Sequence, residues 1–184
     1  MELWLVRHGQ TEWSASHRHT STTDLPLLEP GERDAVALRD RLADLSFDLV
    51  LTSPRQRARR TAELAGFPRA EVEPDLVEWG YGDYEGRTTE DIREDVPGWT
   101  VWTHPTPGGE SAEDVATRCD RVVAQVRSAG ERVLVFGHGH ALRALTARWL
   151  EEPVSFGRHV KLDTATVSTL GFERETPVVL RWNG

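Results

Sequence analysis

The chain has a single cysteine, Cys119, among its 184 residues. It therefore makes no intrachain disulfide and no thiolate metal cluster, and its place in a helical apolar stripe reads as core packing. No run approaches the 18 apolar residues that would cross a bilayer as a helix, and the N-terminal stretch lacks the basic and apolar regions of a secretory signal. A cytoplasmic protein without a membrane partner is the expectation. Positive charge is also in short supply: the formal net charge of -8 argues against a general nucleic-acid binder, although an acidic protein can still hold a local anion pocket. The HxxxH spacing of a zinc helix is missing and the acids complete no ligand set, so neither a metal nor another cofactor is expected. The length suits one domain with a substantial core, and no stretch identifies an oligomer interface.

What is present is a repeated arrangement. Leu3-Trp4-Leu5-Val6 is an apolar run ending in Arg7-His8-Gly9, and Val133-Leu134-Val135-Phe136 ends in Gly137-His138-Gly139-His140. In open α/β sheets ligands bind just outside the carboxyl ends of the strands, so two strands delivering imidazoles there suggest one site. His138, at the strand-helix junction, is placed ahead of His140, one step further on.

Between these runs strands and helices alternate. Residues 10–30 read as a loop over the strand end, and Pro30-Gly31-Glu32 opens a helix with Ala35, Leu38, Leu42 and Leu45 on its buried face. Phe47–Leu51 reads as a second strand, leading through Ser53-Pro54-Arg55 into a helix to about Ala65, with Pro54 in its first turn. Arg55 is expected near the exposed backbone donors of that helix, where an anion is favoured. Arg57, Arg59 and Arg60 read instead as a solvated helix face. Ala70–Glu73 alternates as a short strand. The loop from Leu76 to Gly86 is rich in glycine and aromatics and carries Glu78, Asp83 and Glu85, which local chemistry does not rank as general acids. Residues 87–107 form a short helix and loop, a small cap. Ser111 caps a helix whose face runs Ala112, Val115, Cys119, Val122 and Val126, and a further helix spans about Ala141 to Leu150. Val160–Asp163, Thr166–Phe172 and Val178–Trp182 read as strands, the last two a hairpin.

A neutral imidazole at a cationic site is a nucleophile toward phosphorus, and it forms a covalent intermediate that water later discharges. Arg7, Arg55 and His138 are suited to neutralising the charge of the transferring phosphoryl group, and a nearby carboxylic acid to protonating the leaving alkoxide. Arginines doing the electrostatic work leave no need for a metal.

Five segments carry a resemblance that spans the chain: Leu5 to Glu12, Ser53 to Ala62, Glu78 with Gly82 to Gly86, Pro107 to Ser111, and Gly137 to His140. In this order they resemble the histidine phosphatase superfamily, in its phosphoglycerate mutase-like branch. The resemblance implies His8 as phosphohistidine nucleophile, Arg7, Arg55 and His138 as the phosphate pocket, and Glu78 as proton donor and acceptor. Around them it implies substrate contacts from Ser14, Thr20, Ser21, Gly139 and His140. Ser14 stands where the family commonly has a longer asparagine, and Ser21 where a glycine is usual, so the backbone there would approach substrate less closely. The runs around Trp79 and Ala141-Leu142-Arg143 are similar to the sedoheptulose-1,7-bisphosphatase type. Arg18, His104 and Arg143 are available to add charge around a second phosphate.

The expected fold is a single three-layer α/β/α domain over residues 1–184, with a mostly parallel central sheet, helices on both faces and a C-terminal antiparallel hairpin. The expected partner is a small phosphorylated metabolite, a sugar first. Mutases of this fold carry extra segments that enclose the site, and no long insertion separates Gly86 from Pro107, which favours hydrolysis over transfer.

Overall fold

The computed structural model describes all residues, 1–184. Six strands form one sheet in the order β3-β2-β4-β1-β5-β6: β1 Glu2–Arg7, β2 Leu49–Thr52, β3 Glu71–Val72, β4 Arg132–Gly137, β5 Val167–Glu173 and β6 Thr176–Arg181. The first four are parallel, and β5 and β6 run antiparallel as the closing hairpin.

Side-chain alternation explains why this sheet needs a layer on each face. Leu3 and Leu5 of β1, with Val133 and Val135 of β4, enter one core cluster; Val6, Leu134 and Phe136 enter the other. Over the first face pack α5 (Ala112–Ser128) and α6 (Gly139–Trp149). Over the second pack α2 (Glu29–Leu42) and α3 (Gln56–Leu64), through Leu38, Leu42 and Ala62. Two shorter helices, α1 (Glu12–Ala15) and α4 (Thr89–Asp95), lie in the connections. Ile92, Trp99 and Val101, from the segment read as a cap, are buried in the larger core cluster.

Several expectations shift. Pro54 lies outside the first turn of α3, whose N-cap is Arg55, and Ala112 is exposed at the start of α5. Val160–Asp163 is not a strand. There the Leu162 carbonyl accepts from Arg7 Nη1 at 2.6 Å, so a backbone group that would have joined a ladder bonds a side chain at the strand end instead.

Register then fixes the site. Arg7 pairs with Gly137, and Thr52 with Phe136, so the next residues, His8, His138 and Ser53, leave three adjacent parallel strands together. His8 N–H donates to Gly137 O and Ser53 N–H to Phe136 O, both at 2.9 Å, carrying the ladder just past the strand ends.

Candidate active site

The turn after β1 is shaped by a close backbone approach. A Cβ on Gly9 would fall 2.4 Å from the Gly31 carbonyl oxygen, and one on Gly31 the same distance from that of Gln10. Only glycine fits at either position. Gly9 N–H donates to Thr61 Oγ1 of α3 at 3.0 Å, and the Gly9 carbonyl turns back to accept from His8 Nδ1 at 2.8 Å. A carbonyl only accepts, so Nδ1 carries the proton and Nε2 presents its lone pair. Burial, and then the charges of Arg57 and Arg7, hold His8 well below the ordinary imidazole value. The ring is neutral, and its free nitrogen is Nε2.

His138 caps α6, with its ring centroid 5.2 Å from that of His8 at a 64° interplanar angle. Arg57 Nε donates to His138 Nδ1 at 3.2 Å, so the proton of His138 sits on Nε2, 2.7 Å from Ser53 Oγ. Burial, followed by Arg57 and His8, keeps this imidazole neutral too. The rest of the Arg57 fork donates to the carbonyls of Thr23 (3.0 Å), Thr20 (3.2 Å) and Ser21 (3.5 Å).

Arg57 thus reverses its expected place. It is fully buried, while Arg59 is exposed and Arg60 pairs at the surface with Glu32 and Glu63. The reason is helical: Arg57 shares the inner face of α3 with Ala58, Thr61 and Ala62, small residues that leave room for its stem. Arg55, to which the phosphate role was assigned, is the N-cap residue just before the helix. Arg55, Arg57 and His138 all stand just outside the cleft lining, and the Arg55 Nε is buried without a protein acceptor. Arg57, not Arg55, is the arginine joined to His138.

Glu78 forms the opposite wall. Its Oε1 accepts from the backbone N–H groups of Trp79 (2.8 Å) and Ala141 (2.7 Å), and its Oε2 from that of His140 (3.0 Å). Two of these donors belong to the first turn of α6, where a carboxylate completes otherwise unpaired N–H groups. Tyr81 Oη and His140 Nδ1 are 2.6 Å apart; burial and the Glu78 charge raise the phenol well above its ordinary value, so it stays protonated. Burial, chiefly, also holds His140 well below 6.5, and holds His19, packed 4.6 Å from the Tyr81 ring, at about 4.

The cleft encloses about 250 Å³ and is lined by Arg7, His8, Glu78, Tyr81, His140 and Arg143, among others. Arg7 Nε is buried there with no protein acceptor, and a Cβ on Gly139 would lie 3.4 Å from that guanidinium. Ser14, Thr20 and Gly139 also line the cleft, as do Arg18, His17 and His19. Ser14 Oγ is engaged with Thr11 in the capping box of α1. Ser21 is outside the lining: its N–H and hydroxyl both bond Glu85, whose carboxylate also accepts from Thr23 N–H. Its hydroxyl is spent on that carboxylate and so ties the loop to Glu85. His104 is turned to Thr100 and Thr103, away from the cleft, and Asp83 is exposed. Of the three acids in the loop, only Glu78 reaches the cleft. A larger hollow of about 560 Å³ beside α3 contains no histidine, so size does not mark the site here. No three His, Cys, Asp or Glu side chains converge as a metal-ligand set.

Sequence reasoning did not single out Ser53 or His19, and it read Arg57 as part of a solvated face. Arg57 had a readable signal, its four-residue step to Thr61 and its adjacency to Ala58; Ser53 and His19 are joined to the site only by contacts distant in sequence.

Residues 3–184 match the model of the histidine phosphatase superfamily (branch 1). An acid phosphatase of Mycobacterium tuberculosis is 42% identical over 175 residues, covering 93% of this chain and 86% of the relative. A sedoheptulose 1,7-bisphosphatase of Saccharomyces cerevisiae is 35% identical over 179 residues, covering 79% and 66%. The solved structure of an open reading frame product of Mycobacterium tuberculosis superposes with a TM-score of 0.95 at 40% identity, covering 99% of this chain and 96% of that one. With two neutral imidazoles and a carboxylate gathered at one strand edge, and a match over residues 3–184, this chain is an enzyme of the histidine phosphatase superfamily, branch 1.

Proposed function

We propose that this phosphomonoesterase transfers the phosphoryl group of a small phosphorylated sugar to His8 and then to water. The observation that carries the reading is the pinned tautomer of His8, whose Nδ1–H is held by the Gly9 carbonyl so that Nε2 is free to attack. As the N–P bond forms, the ester P–O bond breaks and the leaving alkoxide takes a proton from Glu78. Glu78, now a carboxylate, draws a proton from water as the water attacks the phosphohistidine, releasing inorganic phosphate and restoring both residues. Arg7 is suited to oppose the charge of the equatorial oxygens, with its unpartnered Nε available as a donor, and Arg57 adds positive potential behind both imidazoles. The sugar preference is supported by the sedoheptulose bisphosphatase relative and by a cleft lined mainly with polar groups.

Rapid-quench labelling with a ³²P-labelled phosphomonoester tests the mechanism. An acid-labile, alkali-stable phosphoenzyme is expected from the wild type and none from His8→Ala; normal labelling of His8→Ala overturns the assignment. Catalytic efficiency over sugar phosphates, sugar bisphosphates, nucleotides, aryl phosphates and phosphoglycerates tests the substrate class. The 42% identical acid phosphatase favours a broader profile as the second reading, and equal efficiency across the set would establish it. Phosphoglycerate interconversion stimulated by 2,3-bisphosphoglycerate would instead mark a mutase.

A further inference from the structure

The loop that carries Glu78 is fastened on both sides by one ion pair, buried at its arginine and half-buried at its glutamate, that the mechanism does not use. Arg118 of α5 is 5% exposed, and its guanidinium meets Glu110 through two parallel bonds, Nε to Oε1 at 2.8 Å and Nη2 to Oε2 at 3.1 Å. Its remaining nitrogen, Nη1, donates to the carbonyls of Asp75 and Val77, each at 2.9 Å. Glu110 reaches the same loop from the other side. Its Oε2 accepts from Gly80 N–H at 2.7 Å, its N–H donates to the Gly80 carbonyl at 2.8 Å, and its carbonyl accepts from Trp79 Nε1 at 3.0 Å. The backbone is therefore held at Val77, immediately before Glu78, and at Gly80, two residues after it.

The glycines nearby allow this contact. A Cβ on Gly109 would sit 2.1 Å from the Gly80 carbonyl oxygen, and one on Gly80 would sit 3.2 Å from Glu110 Cγ. The two backbones meet with no side chain between them, so the Glu78 loop has little freedom to slide along Gly109 and Glu110.

We propose that Glu110 and Arg118 are positioning residues for Glu78, setting where its carboxyl stands relative to the leaving-group oxygen. This rests on the reading of Glu78 as acid and base. A planar fork that bonds a carboxylate and two carbonyls at once fixes orientation as well as charge, which a lysine in the same place does not reproduce. Neither residue lines the cleft, so the loss of the pair acts on proton transfer and not on phosphate binding.

Leaving-group dependence separates this from general structural damage. p-Nitrophenolate departs without a proton, whereas the alkoxide of glycerol 2-phosphate needs one. In Arg118→Lys, kcat/KM for glycerol 2-phosphate is expected to fall on the order of 10²-fold, as misplacement of a reacting group by about 1 Å does. The aryl ester is expected to stay within a few-fold of wild type, with inhibition by inorganic phosphate unchanged. Glu110→Gln, which keeps the shape and removes the charge, is expected to follow the same pattern more mildly, and it carries the test if circular dichroism shows Arg118→Lys unfolded. Glu78→Ala, measured in parallel, distinguishes the two ways of failing. If Glu78→Ala discriminates between the esters but neither positioning variant does, the role of the pair is refuted and that of Glu78 stands. If Glu78→Ala does not discriminate either, the acid-base reading falls and takes this proposal with it.

Discussion

Replacing Arg57 with methionine keeps the apolar stem and removes every donor. In the native structure those donors satisfy His138 Nδ1 and the carbonyls of Thr20, Ser21 and Thr23, in a position with no solvent exposure. Each buried acceptor left without a partner costs about 1–3 kcal/mol, and the weakest of the four, at 3.5 Å, counts for little, so a destabilisation of about 4 kcal/mol is expected. At roughly 2–4 °C per kcal/mol for a domain of this size, Tm should fall by about 10 °C. The kinetic loss is separate. Arg57 stands behind the imidazoles and outside the cleft lining, so its loss acts through the placement and charge of His138 and His8, and misplacing a reacting group costs on the order of 10²-fold in kcat, a loss to be measured well below the new Tm. The pH profile supplies the sign. Burial first, and Arg57 next, depress both His8 and His138, so without Arg57 both rise toward 6.5. Attack needs neutral His8, and the acid limb of kcat/KM must therefore move to higher pH. Arg55→Met serves as the comparison, with a small kinetic effect and no displaced limb. Should Arg55→Met instead produce the displaced limb while Arg57→Met shows only the fall in Tm, the reassignment from Arg55 to Arg57 would be refuted.

Three further outcomes are expected. His19 is neutral in the fold, with its value lowered from 6.5 to about 4, so the unfolded chain binds the extra proton between those limits. Its contribution is complete above pH 6.5 and is lost as pH falls toward 4, about 3 kcal/mol in all; urea unfolding of His19→Gln should show a shallower loss across that window, and an unchanged slope would contradict the burial argument. Gly82 has φ +53°, and a Cβ there would stand 2.1 Å from the Pro107 carbonyl oxygen, whereas Gly98, at φ +77°, has nothing within 4 Å. Gly98→Ala should cost about 1–2 kcal/mol from backbone strain alone and Gly82→Ala distinctly more; equal costs in denaturant titrations would mean that the contact with Pro107 yields freely. Turnover should persist after exhaustive chelation, and loss restored by one added divalent metal would replace the arginine-based mechanism with a metal-assisted one.

The layered fold was legible because two periodicities agree. Leu3, Leu5, Val133 and Val135 alternate with Val6, Leu134 and Phe136 at a period of two, and Leu38, Leu42, Val115, Cys119, Val122 and Val126 recur at three and four. The same patterns gave the two histidines their address, since a strand running into a His-Gly pair places the imidazole at the carboxyl edge. Val160–Asp163 misled because a short extended segment has the same local pattern whether or not a neighbouring strand pairs with it. The positions of Ser53 and Arg57 relative to His138 depend on register between β2 and β4, more than eighty residues apart, and no local pattern carries that information.

The distinction between Arg55 and Arg57 shows what kind of information was missing. A helix N-terminus attracts anions through its unpaired N–H groups, and that argument favours the arginine nearest to it, Arg55. It says nothing about a cation that the rest of the fold has been built to receive. Arg57 is received by the loop at Thr20–Thr23, whose carbonyls face its guanidinium. That loop is itself held by Glu85 through Ser21 and Thr23. Three carbonyls and the charges of Glu78 and of Asp24, 3.8 Å from Nη1, thus stabilise one buried cation, and that cation fixes the tautomer of His138 and, after burial, depresses His8. In the sequence Ser21 reads as a substrate contact and Glu85 as one of three acids that local chemistry leaves unranked. In the structure both brace the loop that faces Arg57, whose charge adds to the larger effect of burial in holding His8 below the ordinary imidazole value.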